Sequence, residues 1–516
     1  MVAKRAQARD MGLLAWLAVG LALLVALGIR LYQIDEPPLD FQPERQLHGA
    51  ILARWYYLET QDSAPLRERR VAERNARDEG NVGEPPIMEF LSAQAYRVAG
   101  GERLWIPRGL ATLCWLAGGI FLFLIARRLA SIWAALFALA FYLFAPFGVS
   151  ASRSFQPDPL MIALILASVL AILRHHERPD AGRLAAAALL AALALLVKPV
   201  YAGFPIAGAF LALAVARQGV RRTIADPQVY VFGLVALLPS LAYYLWGTVV
   251  DDFLEGQAGG RVLPELLLES AFWRGWYHLA THAVGSVVVL AAGFVGLALA
   301  RGTARALLAG LWLGYLAFGL THTYPIYTHD YYSLQLVPIV ALSLLPLADL
   351  ALGWLGRLPR APRVALAGAA VALALAVGVA ELRRHDDDVP RMREAARTYA
   401  EIGDAVDHSR SVLFLDTLSA APMRYYASIA GASWPNRGDM DFEELSDGAR
   451  PIGAAERLAG RSPDHYPNRS SLEWPPEYFV VTNLAELDLQ PDLRRVLGRY
   501  PRVARTRHYV IYDLQS

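Results

Sequence analysis

A single cysteine, Cys114, stands in 516 residues. No internal disulfide is therefore open to the chain, and a lone thiol in an apolar run says little about redox compartment. An excess of one charge is missing too: 49 Lys and Arg face 47 Asp and Glu, a formal net charge of +2. That balance carries no polyanion-binding signal and argues against nucleic acid as a partner. Lysine is almost absent, with only Lys198 beyond Lys4. No glycine-rich strand–loop–helix is present of the kind that cradles a pyrophosphate on backbone amides. Acidic residues are scarce inside the apolar runs, whereas a membrane transporter or lipid flippase places charges mid-helix.

What the chain has is apolar surface. It is 55% hydrophobic with a mean hydropathy of +0.31, which points to a polytopic α-helical membrane protein. A helical span needs about 20 mostly apolar residues. Eleven such runs are read, near residues 11–31, 104–126, 132–150, 157–173, 184–197, 201–216, 228–249, 283–300, 306–320, 332–352 and 364–380. The first, following Lys4, Arg5 and Arg9, reads as an anchor, because its apolar core is long and no small-residue cleavage site is clear. Lys198-Pro199-Val200 alone separates the fifth run from the sixth, and a proline there suits a tight re-entry.

Arginine alternates between connections. Arg127/Arg128, Arg174/Arg178/Arg183, Arg217/Arg221/Arg222, Arg301/Arg305 and Arg357/Arg360/Arg363 join Lys4/Arg5/Arg9 in every second one, while the opposite connections between later helices carry only Arg153, Lys198, Arg261 and Arg274. Basic residues collect on the cytoplasmic side. The expected topology is a cytoplasmic N-terminus in a bacterial-type inner membrane, with residues 32–103, 153–158, 251–282, 321–331 and the tail outside. The expected domains are a membrane module over 1–380, including the loop 32–103, and an extracytoplasmic α/β domain over 381–516.

The charged stretch 61–83 reads as a solvated surface helix. In the tail, 411–416 (SVLFLD), 478–482 (YFVVT) and 509–514 (YVIYDL) read as buried strands, with a helix over 392–406. The tail carries no nucleophile motif and no cofactor loop, so recognition or stabilisation is its expected role.

Carboxylates gather in the outer segments, which favours an enzyme whose site opens at the outer leaflet. Two proline-pinned turns carry them: Asp35, Glu36 and Asp40 in the first, Glu84 in the second, before an apolar-aromatic stretch from 48 to 58 and after it. A rigidly held Asp40 suits a general base acting on a hydroxyl. An Asp ahead of a helix is equally ordinary capping chemistry. Lys198 reads either as a functional cation or as an interfacial lysine that snorkels. His278 and His282 share a helix face. With Glu84 they would make a divalent-metal set, while beside Trp273, Trp276 and Tyr277 they fit an aromatic belt equally well.

Four features together resemble a known group. An acidic loop follows the first apolar run; residues 84–91 (EPPIMEFL) precede the second; 153–159 (RSFQPDP) enter the fourth; 329–334 (HDYYSL) lead to Pro338 in the tenth. This is similar to the polyprenyl-phosphate-sugar-dependent glycosyltransferases of the GT-C fold, family 39/83 group, which holds protein O-mannosyltransferases and lipid A aminoarabinose transferases. The resemblance covers residues 10–380. Arg45-Gln46 stands where the group usually has an Asp-Glu pair. Asp40 matches the acidic position of a subgroup with an Asp-x-His-x-x-Arg-Gln pattern, with Gln42 in place of the His.

The resemblance implies inverting transfer of a sugar from a polyprenyl-phosphate donor to an acceptor hydroxyl on a protein, lipid or polysaccharide. It implies Asp40, Glu84 and Asp158 as catalytic candidates, with Asp35 in reserve. Arg45, Gln46, Arg153, Lys198, His329, Tyr331 and Tyr332 would bind substrate. It names no certain cofactor, though some relatives hold a divalent metal near the site. The rival readings are a transporter or flippase, and a non-catalytic glycan- or lipid-binding scaffold.

Overall fold

A computed structural model describes residues 13–79, 84–250, 262–384, 386–417, 420–438, 440, 453–459 and 475–516. Lys4, Arg5, Arg9 and Arg261 lie outside the described residues, as does part of the expected loop 251–282. The chain forms two compact units. The first comprises Met1–Ile34, Gly83–Ile87 and Pro107–Asp386, and the second Asp35–Val82, Met88–Ile106 and Asp387–Ser516. The tail's expected start at 381 is close to where the second unit resumes. Most of the loop 32–103, however, groups with the tail rather than with the helices.

In the first unit, seven described stretches are long and apolar enough to cross a bilayer: Leu13–Leu31, Trp105–Leu129, Asp158–Glu177, Pro199–Gln218, Pro227–Val249, Gly302–Thr321 and Asp330–Leu355. Two bent pairs raise this to nine: Ile132–Phe144 with Pro146–Ser152, at 59°, and Ser270–Val284 with Val287–Leu299, at 85°. The other two of the eleven expected runs are the 17-residue helix Ala181–Val197 and the 24-residue helix Arg360–Arg383. The first of these is only about 25 Å long against a hydrocarbon core of about 30 Å. Eleven is thus a count of apolar helices; among the described residues seven meet the combined length and apolarity criterion, or nine with each bent pair taken as one span.

Proline and arginine explain one of the bends. Pro146 opens the helix Pro146–Ser152 after Ala145 leaves helical geometry, so carbonyls at the end of Ile132–Phe144 lose their helical donors. Arg30, fully buried, supplies replacements. Its Nη2 donates to the Leu143 carbonyl at 2.9 Å, its Nη1 to Ala26 O at 3.1 Å and its Nε to Ser152 Oγ at 2.6 Å. A cation and a broken helix are each costly inside an apolar bundle, and here each satisfies the other.

Glycine permits a close helix contact. Helices Pro199–Gln218 and Gly302–Thr321 meet through Gly208, Gly310 and Gly314, where a Cβ on Gly208 would fall 2.1 Å from the Gly310 carbonyl oxygen. Spacing of the two glycines four apart lets backbones touch along one face.

The second unit is built on a five-stranded sheet in the order β2-β1-β3-β5-β4, with β1 Val412–Leu415, β2 Gly431–Ser433, β3 Tyr478–Val481, β4 Arg502–Arg505 and β5 Val510–Asp513. β1 runs parallel to β2 and β3, and β5 antiparallel to β3 and β4. The three expected strands are β1, β3 and β5; the expected helix at 392–406 is Val389–Ala405. Leu413, Leu415, Phe479, Val481 and Val510 fill one face, and Val412, Phe414, Val480 and Ile511 the other. The charged stretch forms the helix Leu66–Glu79. It is not wholly solvated: Val71, Ala72, Asn75 and Ala76 are buried, because Val, Ala and Asn recur at helical spacing among the charges.

The glycine contact makes a prediction with an internal control. Gly208→Ala should destabilise the protein by about 1–3 kcal/mol through overpacking. Gly203→Ala on the same helix, whose Cβ would meet nothing nearer than 3.9 Å, should not. Thermal unfolding of both variants in detergent checks this; equal melting points would remove the role assigned to the contact.

Candidate functional site

Three segments of the first unit bring their polar residues together. Helix Ala181–Val197 ends at Lys198, and Pro199 opens the next helix. Proline has no N–H to lose at a first helical position, so the two helices join through one extended residue. Asp158 begins the helix Asp158–Glu177, between Pro157 and Pro159, where the helix dipole favours a carboxylate. Glu84 precedes Pro85-Pro86 and the helix Ile87–Ala99.

Lys198 is the hub. It is 0% exposed and Asp158 only 2%. The ammonium donates to both Asp158 carboxylate oxygens at 3.1 Å and lies 3.6 Å from Glu84 Oε1. Tyrosines surround it: Nζ is 5.1 Å from the ring centre of Tyr201, 5.3 Å from Tyr331 and 5.6 Å from Tyr332. All three fall within the ~6 Å reach of a cation–π attraction. Tyr201 and Tyr332 stack at 4.6 Å and 4°, and the His329 ring meets Tyr331 at 5.5 Å and Tyr332 at 5.7 Å. An ammonium taken out of water costs several kcal/mol. Two carboxylates and three π faces meet that cost. The snorkelling lysine left open by the sequence is therefore excluded by burial.

Arg153 is nearby in sequence but serves the backbone. Its Nη2 donates to the carbonyls of Tyr32 at 2.7 Å and Gln33 at 3.1 Å. Arg108, at the start of the helix Trp105–Leu129, donates to Arg153 O at 3.1 Å and to Ile34 O at 3.0 Å. These two arginines fix the chain where the first helix turns into the first loop. Gln33 there adopts a left-handed φ of 50°, a conformation a non-glycine residue holds only when its neighbours impose it.

Asp40, Arg45 and Gln46 belong to the second unit. Asp40 Oδ1 accepts from the Phe41 amide at 2.9 Å and from Gln46 Nε2 at 3.3 Å, and Gln46 also donates to Phe41 O at 2.6 Å. Gln46 is fully buried, one residue past the half-buried Arg45 on the helix Pro43–Leu58. The side chain of Asp40 is thus pinned by Gln46, one of the residues that stand where the resembled group has its Asp-Glu pair.

His278 and His282 lie on the helix Ser270–Val284 and are exposed. The His282 ring packs edge-on against Phe147 at 5.3 Å. Glu84 is spent on Lys198. Among the described residues no three of His, Cys, Asp and Glu gather as a metal set, so the proposed His278–His282–Glu84 donor set does not form there. Tyr201 was not singled out from sequence, although its place three residues after Lys198 on a helix start was a usable signal. Arg30 and Arg108, each a cation at one end of an apolar run, were legible as residues needing partners but not as to which.

Breaking the buried pair has a measurable cost. Lys198→Met should destabilise the protein by about 3–5 kcal/mol, because it strands the Asp158 carboxylate. Adding Asp158→Asn should recover most of that loss. Thermal unfolding of the single and double variants checks the coupling; additive losses would separate the two residues energetically.

Residues 83–246, less than half of the chain, match the model of the dolichyl-phosphate-mannose-protein mannosyltransferase family. Comparison with curated proteins finds no match. Among solved structures, ArnT from Cupriavidus metallidurans in the apo state superposes with a TM-score of 0.58 at 18% identity, over 96% of this chain and 97% of that one. The same protein bound to undecaprenyl phosphate gives 0.58 at 16% identity, over 97% and 98%. The Archaeoglobus fulgidus oligosaccharyltransferase in complex with zinc and sulfate gives 0.50 at 12%, over 94% and 71%. The chain therefore has the GT-C fold its sequence resembles, along nearly its full length.

Proposed function

We propose that this chain is a membrane glycosyltransferase that moves a sugar from a polyprenyl-phosphate donor to an acceptor hydroxyl, with inversion. The observation that carries the reading is the buried Lys198 ammonium, set among carboxylates and tyrosines in an apolar helical unit. A monophosphate headgroup needs little more than a cation and exclusion of water. The bound lipid phosphate of one structural neighbour supports the same class of donor.

In this mechanism the acceptor oxygen forms a bond to the anomeric carbon while the bond from that carbon to the phosphate oxygen breaks. The electron pair leaves on the lipid phosphate, and the acceptor proton passes to a carboxylate. Asp40 is the proposed base, held in one orientation by the Phe41 amide and Gln46. Lys198 is the proposed cation for the charge developing on phosphate. Its 3.6 Å contact with Glu84 is looser than its contacts with Asp158, so Glu84 is the partner an incoming phosphate replaces. Asp158 keeps the ammonium in place. Tyr331, Tyr332 and His329 line the donor, and Arg153 holds the chain leading into the loop. The arginine alternation supports an inner-membrane topology with the N-terminus cytoplasmic and the second unit outside; reporter fusions at Arg217 and Ser516 should report opposite compartments.

Asp40→Asn should lower turnover at least 100-fold with folding unchanged, since an amide cannot take the proton and general-base terms are worth ~10²–10⁴. Reconstituted protein offered each donor class separately provides the assay. Polyprenyl-phosphate sugars should be used and nucleotide sugars ignored. Robust transfer from a nucleotide sugar alone would overturn the donor assignment, and near-normal turnover by the Asn variant would remove Asp40 as base.

A further inference from the structure

The second unit contains a cavity of about 380 Å³, inside the ~300–1,000 Å³ range of small-molecule sites. Its walls come from helices Pro43–Leu58 and Leu66–Glu79 and from the tail near residues 408 and 424–428. None of its lining residues belongs to the Lys198 centre.

The walls specify a chemistry. Arg54, Arg67 and Arg424 face Glu68 and Glu102, a formal excess of one positive charge. Arg54 and Glu102 are committed to each other. Arg54 Nε lies 2.9 Å from Glu102 Oε2, its Nη1 donates to Tyr425 O at 2.6 Å, and its guanidinium stacks 3.9 Å over the Tyr425 ring. Burial works against the Arg54 charge, but the Glu102 carboxylate and Tyr425 hold its pKa above the usual arginine value.

Arg67 is differently placed. Its partner Asp407, at 2.8 Å, has a side chain 86% exposed, and such a solvent-screened pair is worth about 0–1 kcal/mol. Arg67 can therefore exchange Asp407 for a ligand anion at small cost.

Three further observations point to a ligand, and the first of them to one with a hydroxyl. Asn75, only 2% exposed, lines the cavity and donates its amide to Arg424 O and Ile429 O. Among the described residues its Oδ1 has no hydrogen-bond partner, and a buried acceptor left so costs about 1–3 kcal/mol until a donor arrives. His408 and Ser428, also in the wall, both hold left-handed backbone, at φ 46° and 49°. Such strain concentrates at ligand clamps. Ile51, Leu58 and Val71 supply an apolar side suited to the C–H face of a sugar ring.

We propose that this cavity binds a hydroxyl-rich anion, a sugar acid or sugar phosphate, with Arg67 taking the negative charge and Asn75 a hydroxyl. The assignment does not rest on the transfer reaction. Its test is calorimetry on the full chain in detergent with glucuronate, glucose 6-phosphate, glucose and inorganic phosphate. The two anionic sugars should bind saturably, and glucose and phosphate at least about tenfold more weakly. Arg67→Gln should weaken the anionic sugars about tenfold with an unchanged melting point, and Arg67→Lys should restore part of the affinity.

A second arm presents glucose 6-phosphate as a lipid headgroup in nanodiscs. Binding of the free sugar assigns a soluble ligand, and binding of the lipid-borne form alone assigns a headgroup; either supports the site. Absence of saturable binding in both arms, affinity unchanged by Arg67→Gln, or phosphate binding as tightly as the sugar phosphate would overturn it.

Discussion

The ion pair between Lys198 and Asp158 is the constraint around which the first unit is arranged. A cation with no exposed surface is tolerable only where its hydrogen bonds are satisfied, and for Lys198 two carboxylates do so. That requirement brings the joint between two helices, the start of a third and the proline-rich turn at Glu84 to one point. The tyrosines follow from the same demand, since rings beside a buried cation stabilise it without adding mobile polar groups. A centre held by charge in this way suits the electrostatic role proposed for Lys198.

The same rule governs the rest of the bundle. Arg30 is buried and donates to carbonyls and to a serine at the Pro146 break. Arg108 and Arg153 likewise donate to main-chain carbonyls around residues 32–34. These three buried arginines thus serve places where the helix ladder is interrupted. The glycine contact at Gly208 and Gly310 shows the complementary device, in which side chains are removed so that uninterrupted helices can touch.

The second unit solves a different problem. Its sheet is buried on both faces by ordinary aliphatic and aromatic packing. Its polar centre is Arg54, Glu102 and Tyr425, which ties the helix after Asp40 to the helix Ala421–Tyr425. The proposed base and the proposed sugar-anion cavity therefore share one structural frame: the helix Pro43–Leu58 begins three residues after Asp40 and lines the cavity further along with Ile51, Arg54 and Leu58.

Hydropathy alone determined the membrane class, the apolar helices and the three central strands, because apolar length and alternation are local properties read along one segment. Motif order alone carried the resemblance to the GT-C fold. The edge strands β2 and β4 were missed because Gly431–Ser433 and Arg502–Arg505 have little apolar pattern and exist through pairing with neighbours. Lys198 was legible as a candidate because it is so nearly the only lysine, but whether it snorkels or is buried depends on what lies 40 residues away at Asp158. Asp40's fixed orientation, the separation of His278 and His282 from Glu84, and the cavity at Asn75 were equally invisible. Each depends on which side chains meet across long stretches of chain, and only tertiary packing decides that, since burial and partner choice are properties of the folded whole.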